Sequence, residues 1–302
     1  MEIINNKSGF VAMMGRPNVG KSALINALLG EKIAAVSPWP QTTRKRQLGI
    51  LTTELGQIVF VDTPGIHNPI HKLGQHMNEE AISALEDSDV ILILCDISQP
   101  PNEEDQKLAD IIMKLNRSIP MLMALNKSDI KDPEETEIIQ DAFKQLFPRI
   151  NEFIAISATQ GNNLDLLISL LYKYLPVGPN FFPEDQITDL YERDIAADII
   201  REAALIHLRD EVPHSIAIRI DEFRERNDKG ALISATLFVE RDSQKGIVIG
   251  KNGRMLKQIG TLARKEIENI FKYKVFLNLR VKTRKNWRND KTALRLFGFH
   301  EA

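Results

Sequence analysis

Residues 15–22 read GRPNVGKS, and few octapeptides restrict a fold more. They follow a short apolar run, residues 10–14 (FVAMM), and precede the helix-favouring stretch ALINALLGEK. The order strand, glycine loop, helix is what the phosphate-binding pattern GxxxxGK[ST] requires. Gly15 and Gly20 let the backbone curl close to an oligophosphate with no Cβ in the way, so that backbone N–H groups and the helix N-terminus point at negative charge. Lys21 is expected to reach the β and γ phosphates and the Ser22 hydroxyl to serve as one Mg²⁺ ligand. The expected nucleotide-binding set here is Gly15, Arg16, Pro17, Asn18, Val19, Gly20, Lys21 and Ser22.

Apolar runs of strand length recur after it, at 58–61, 90–95, 121–125 and 153–156, between helical patterns near 21–30, 73–86, 104–116, 134–147 and 163–174. Their hydrophobicity is continuous rather than alternating. Strands of that kind are covered on both faces, which predicts a mainly parallel sheet with helices on each side. Ligands of such sheets lie beyond the C-terminal strand ends, and the informative residues fall there. The run IVFVDTPG puts Asp62 at a strand end, followed by Thr63, Pro64 and Gly65. Asp62 is expected to hold Mg²⁺ through water and the Gly65 N–H to meet the γ-phosphate. Alone, DTPG is also an ordinary turn. The run LMALNKSD places Asn126, Lys127, Ser128 and Asp129 at the next such end. A carboxylate at Asp129 can accept from both N1–H and the amino group of guanine, whereas adenine leaves it unpaired. Asn126 is expected to contact the base and Lys127 to lie along it, while Ser157 and Ala158, closing FIAIS, offer a backbone N–H to the guanine oxygen.

The remaining length carries a second composition. The net charge of −2 hides an asymmetry: residues 241–302 hold 16 Lys+Arg against 5 Asp+Glu, a balance of +11, and the first 240 carry −13. An acidic front and a basic back suggest a nucleic-acid partner for the C-terminal part. The proline-dense LPVGPNFFPEDQ marks a boundary, giving expected extents of 1–175, a linker at 176–186 and a second domain over 187–302. That domain reads as an amphipathic helix (190–208), two strands (SIAIRI and ALISATLFV), then IVIGKNGRMLKQIGTLARKEIENIF and a last strand, KVFLNLRV. Gly250-Lys251-Asn252-Gly253 is a GxxG loop between helices. Two positions without Cβ let it approach a nucleic-acid backbone, with Lys251 and Arg254 facing phosphates. The expected RNA-binding set is Ile249, Gly250, Lys251, Asn252, Gly253, Arg254 and Lys257, gripping about four single-stranded nucleotides as KH domains do.

GRPNVGKS, the pair Thr42 and Thr43 in PQTTR, DTPG, NKSD and SAT occur in the order and spacing of the G1 to G5 motifs, and the chain resembles translation-factor-class GTPases. With a type II KH order behind the G domain, it resembles the Era family of ribosome-assembly GTPases over residues 8–299. The fold this implies is an α/β P-loop GTPase domain, its mainly parallel sheet covered by helices on both faces, followed by a smaller α+β type II KH domain. The resemblance implies Lys21, Thr43, Asp62 and Gly65 as the catalytic set and Mg²⁺ at Ser22, Thr43 and, through water, Asp62. Ile66 stands where other GTPases carry a water-orienting glutamine, so slow unaided turnover is expected. Asn18 matches an asparagine associated with K⁺ assistance. Implied partners are GTP and GDP, single-stranded 16S rRNA near its 3′ end and the 30S subunit, for a chain that shows no heptads and is expected to be monomeric. The rival reading is a membrane-associated signalling GTPase whose basic tail binds anionic lipid; peripheral membrane contact is also attributed to the family. A single cysteine, Cys95, no apolar stretch of about 18 residues and no signal-peptide core in MEIINNKSG point to a cytoplasmic protein, and the resemblance implies a bacterial-type one. His67, His71 and His76 have no cysteines beside them and read as solvated loop residues, and Trp39 as an exposed part of the first switch.

Overall fold

The structure, a computed structural model, describes residues 6–36, 43–66, 68–115, 118–130, 133–225 and 230–299. Trp39, Thr42, His67 and residues 226–229 of the charged turn lie outside them. The chain divides into two compact units, one built from Met1–Ile33, Thr43–Asn68 and Met77–Asp189, the other from Ala34–Thr42, Pro69–His76 and Leu190–Ala302.

The first unit is a six-stranded sheet formed by β1 (Lys7–Met14), β2 (Gln47–Thr53), β3 (Gly56–Asp62), β4 (Val90–Asp96), β5 (Met121–Asn126) and β6 (Glu152–Ala155) in the order β2-β3-β1-β4-β5-β6. All neighbours are parallel except β2 and β3, which form an antiparallel hairpin. Every residue of β3, β4 and β5 is buried, as continuous hydrophobicity requires of strands covered on both faces. The covering helices are α1 (Lys21–Leu29), α2 (Lys72–Glu86, of which the part from Met77 belongs to this unit), α3 (Glu103–Met113), α4 (Pro133–Leu146) and α5 (Leu164–Tyr174). Phe143, Leu85 and Ile112 pack with Ile91, Ile93 and Met123 in one cluster of the core. The antiparallel β2 has no counterpart among the strand-like runs read from sequence. Its sequence, QLGILTT, is only half buried in its last three residues and lacks the solid apolar signature of the inner strands.

The proline-rich stretch after α5 is laid against this sheet. The Ser8 N–H donates to the Pro176 carbonyl at 3.0 Å and the Ile50 N–H to that of Ile187 at 2.8 Å. Gln57 is fully buried. Its Oε1 accepts from the N–H groups of Phe181 and Phe182, both at 2.9 Å, and its Nε2 donates to Thr52 Oγ1 and the Phe182 carbonyl.

The second unit packs α6 (Glu192–His207), α7 (Asp242–Ile249) and α8 (Arg254–Phe271) on a sheet of β7 (Ala217–Glu225), β8 (Ala231–Val239) and β9 (Val275–Thr283), in the order β7-β8-β9 with β8 and β9 parallel. Ile199, Ile233, Leu237, Val248, Ile259 and Ile267 form its centre. A short α9 (Lys291–Leu296) follows the fully buried Trp287, whose indole N–H donates to the Ser215 carbonyl at 2.8 Å. His76 belongs to this unit and, contrary to the solvated reading, is buried with its ring edge-on to Phe299 at 5.9 Å.

Replacing Gln57 with Leu takes the partner from two part-buried N–H groups, of Phe181 and Phe182, and from the Phe182 carbonyl. A loss of roughly 3 kcal/mol in urea unfolding of the first unit is the expected outcome, and an unchanged midpoint would show the 176–189 stretch to be loosely held.

Candidate nucleotide and RNA sites

Two strand ends meet at the phosphate loop. α1 begins directly after Gly20 with no side-chain cap, leaving its first N–H groups for an anion. A Cβ on Gly20 would sit 2.4 Å from Asn126 Nδ2, and one on Gly65 would sit 2.9 Å from the Pro17 nitrogen. Glycine is thus what allows the loop to touch both neighbouring segments. Lys21 is buried, with its ammonium donating to the carbonyls of Gly15 (2.9 Å) and Arg16 (3.3 Å).

Facing it, Asp62 gathers the oxygen atoms that the sequence assigned to a metal. Its Oδ2 accepts from Ser22 Oγ at 3.0 Å, Thr43 Oγ1 at 3.1 Å and Gln47 Nε2 at 3.3 Å, and the two hydroxyls are 2.8 Å apart. The other oxygen, Oδ1, is buried with no hydrogen-bond partner among the described residues. Three hard oxygen donors and an unsatisfied carboxylate oxygen beside a phosphate loop fit Mg²⁺ completed by phosphate and water. Burial pushes the Asp62 carboxyl above its ordinary value, and the Lys21 charge and the three hydrogen bonds only partly oppose that. Burial likewise lowers the Lys21 ammonium, against the charges of Asp62 and Glu104.

The base side is built by β5 and the loop after β6. Asn126 spends its amide on the backbone, donating to the Val19 carbonyl at 2.8 Å and accepting from the Ala158 N–H at 2.9 Å. These two bonds brace the phosphate loop to the 157–158 loop. Ser157 is buried, and its Oγ accepts from the Gln160 N–H. Asp129 is exposed, and the Ser128 N–H donates to the Ile156 carbonyl at 3.1 Å. Lys127, at φ +66°, turns its ammonium onto Asp96 Oδ2 at 2.5 Å. Asp96 also accepts from Ser98 and Gln99. Burial raises its carboxyl, but these bonds outweigh that and hold it below the ordinary value. Arg16 is sequestered between Asp105 (3.3 Å) and Asp96 (3.7 Å). Arg44 is buried too. Thr63 is fully buried and donates to the Met13 carbonyl, and Ile66 lies in the core with Met14, Ala81 and Leu85. Asn18 is exposed at φ +63°.

In the second unit Gly250, Asn252 and Gly253 have φ of +70°, +54° and +72°. Asn is among the few side chains that tolerate this region, which explains how it occupies the third loop position. A Cβ at Gly250 would meet Met255 Cβ at 2.6 Å. Lys251, Asn252, Arg254 and Lys257 are exposed, and Ile249 is half-buried. The loop opens onto a groove of about 490 Å³ between α8 and β9, lined by Leu256, Gly260, Leu277 and Leu279 and edged by Lys257 and Arg264. An apolar floor with a basic rim suits bases below and phosphates above.

A family profile described as "50S ribosome-binding GTPase" matches residues 10–127, and a KH-domain profile matches residues 211–288. GTPase Era of Geobacter metallireducens is 46% identical over 294 residues, covering 97% of this chain and 98% of its own length. The Lactobacillus helveticus GTPase Era is 44% identical over 299 residues, covering 99% and 98%. The chain belongs to the Era family of GTPases. Two solved Era structures superpose on it at 41% identity, each over 98% of this chain and all of the other. One holds MgGDPNP and nucleotides 1506–1542 of 16S ribosomal RNA (TM-score 0.93); the second is an Aquifex aeolicus Era variant bound to GDP·AlF₄⁻ (TM-score 0.92). Among the described residues no helix is long and apolar enough to cross a membrane.

For this Era-family chain, sequence reasoning found Lys257 at the groove but overlooked Asp96, Asp105, Gln47 and the groove residues Leu256, Gly260, Arg264, Leu277 and Leu279. Asp105 carried one signal: in NEED it is the N3 residue of a capping box with Asn102, which fixes the start of α3.

The charge arrangement carries a sign. Asp62's folded pKa is raised above its ordinary 3.8, so its contribution to stability is present below that value and lost as pH rises through the folded pKa. Lys21's is lowered below 10.5, so its contribution is present above that value and lost as pH falls through the folded pKa. Both weigh on the ligand-free fold at neutral pH. Asp62→Asn is therefore expected to raise the ligand-free melting midpoint at pH 7 by about 2–4 °C while removing the Mg²⁺-dependent part of GTP-analogue affinity. A lower midpoint would contradict the assignment of a costly buried carboxylate.

Proposed function

We propose that this chain is a GTP-hydrolysing switch that binds single-stranded 16S rRNA near its 3′ end and assists 30S subunit maturation. What supports this most directly is the Asp62 cluster: a buried carboxylate with one oxygen unmet, two hydroxyls and a buried lysine at the mouth of a glycine loop are the donor set that Mg²⁺ and phosphates require. In this reading residues 1–175 are the G domain, 176–186 the linker and 187–302 the KH domain. Lys21 binds the β and γ phosphates; Ser22 and Thr43 ligate Mg²⁺, and Asp62 holds it through water. Gly65 meets the γ-phosphate. Asp129 selects guanine, with Lys127 along the base and the Ala158 N–H near the guanine oxygen. Ile66, in the core, offers no group to orient water, so unaided turnover is slow.

The RNA side rests on the groove and its loop. Bases lie over Leu256, Gly260, Leu277 and Leu279, while the backbone passes Gly250 to Gly253 under Lys251, Arg254 and Lys257. The 30S context is supported by the relative whose crystal holds a 16S rRNA fragment. The chain acts as a monomer in the cytoplasm. Asn18 is the candidate for K⁺ assistance, and turnover unchanged on replacing K⁺ with Na⁺ would count against it.

Two experiments test the halves separately. Asp129→Asn is expected to lose at least tenfold in GTP affinity relative to xanthosine triphosphate, whose altered edge suits an amide; retained guanine preference removes Asp129 from its role. Lys251→Asp with Asn252→Asp is expected to weaken RNA binding by about 100-fold at moderate salt, with GTP affinity unchanged. Loss of both activities together would instead mean that the variant is misfolded or the sites inseparable.

A further inference from the structure

We propose that Asp96 is a positioning residue of the nucleotide site, holding Lys127 for the base and joining the base side to the phosphate loop through Arg16. The proposal rests on the GTP-site reading above. The placement follows from the sheet: Asp96 ends β4 in parallel register with Asn126 of β5, so the next residue, Lys127, leaves the sheet beside its carboxylate. A left-handed backbone at Lys127, φ +66°, turns the side chain back toward β4 instead of into solvent. The result is one carboxylate oxygen, Oδ2, at 2.5 Å from Lys127 Nζ and 3.7 Å from Arg16 Nη2.

Asp96 is itself held. Oδ1 accepts from the Ser98 N–H at 3.0 Å and Ser98 Oγ at 2.6 Å, and Gln99 Nε2 donates to Oδ2 at 3.1 Å. The carboxylate is 1% exposed. A charge so buried offsets its desolvation only where well-placed partners and hydrogen bonds satisfy it, as Lys127, Ser98 and Gln99 do here. Arg16 has a second carboxylate, Asp105, at 3.3 Å, itself anchored by the Asn102 N–H at the start of α3. Lys127 has no second acidic partner among the ion pairs of the described residues. Loss of Asp96 therefore frees the lysine chiefly and leaves the arginine tethered. A lysine with a four-carbon stem and no anchor samples many rotamers, and ordering it on nucleotide binding then weakens affinity.

The test is a double-mutant cycle on the full chain, read as the affinity for a fluorescent GDP with Mg²⁺ present. Asp96→Asn is expected to weaken binding about tenfold, Lys127→Met by a similar or larger factor, and the pair no more than Lys127→Met alone. That non-additivity is what action through Lys127 requires and what a general structural role would not produce. Ser98→Ala keeps the carboxylate and removes one of its holders. It is expected to weaken binding about threefold, again not additively with Lys127→Met, and it carries the test if Asp96→Asn does not fold. Multiplicative effects, or Asp96→Asn binding as wild type does, overturn the proposal while leaving the GTP site intact. Wild-type protein that fails to bind GDP overturns the GTP-site reading and this proposal with it.

Discussion

The interaction on which the first unit's chemistry depends is the meeting of buried Lys21, at the start of α1, and buried Asp62, at the C-terminal end of β3. Each is shifted toward its neutral form by burial, and neither is completed by the protein. The lysine falls back on the carbonyls of Gly15 and Arg16, and the aspartate takes up the Ser22 and Thr43 hydroxyls with one oxygen still unmet. Such an arrangement is stable only because the sheet and α1 hold both groups in place. In the proposed function, phosphate on one side and Mg²⁺ on the other answer it. Thr43 and Gln47 both reach Asp62, so the start of β2 and the residues just before it are tied to that carboxylate through side chains that a bound Mg²⁺ would redirect.

Geometry around that pair is transmitted by a few buried polar side chains, although Arg16 and Asp105 keep buried polar atoms without a hydrogen-bond partner among the described residues. Asn126 ties the phosphate loop to the loop after β6, and Thr63 ties the end of β3 to β1. Asp96 and Asp105 hold Lys127 and Arg16 from the ends of β4 and the start of α3. Buried networks of this kind are costly when broken and rigid when complete. The site is therefore largely pre-formed, and the part left to the ligand is charge. The KH unit uses the opposite device: its loop residues are exposed, its backbone strained into left-handed geometry, and its apolar groove open.

The sheet was legible where strands are buried on both faces, since 90–96 and 121–126 can hardly be anything else. It was not legible at β2, an edge strand whose QLGILTT mixes polar and apolar residues and whose existence depends on pairing with β3 and on the 176–189 stretch laid against it. The phosphate loop and Asp62 announce themselves because spacing and residue type are set by the ligand, whereas Thr43 is singled out from Thr42 only by the family resemblance. Asp96 does not, because an aspartate ending an apolar strand looks like a turn starter, and its partner lies 31 positions away, brought close only by strand register. His76 was misread for a similar reason: the residues around it are polar, and only the fold places Phe299 against its ring. Leu277 and Leu279 read as ordinary strand residues until α8 leaves a groove above them.

The central claim is that one chain links guanine-nucleotide state to single-stranded RNA binding. It is tested most directly by the affinity of the full chain for a short RNA from the 3′ end of 16S rRNA, measured with Mg²⁺ and a non-hydrolysable GTP analogue and again with GDP. The account predicts affinities that differ by about tenfold or more, which corresponds to a coupling of about 1.4 kcal/mol. Equal affinities in the two states would contradict a switch, leaving two independent sites on one polypeptide.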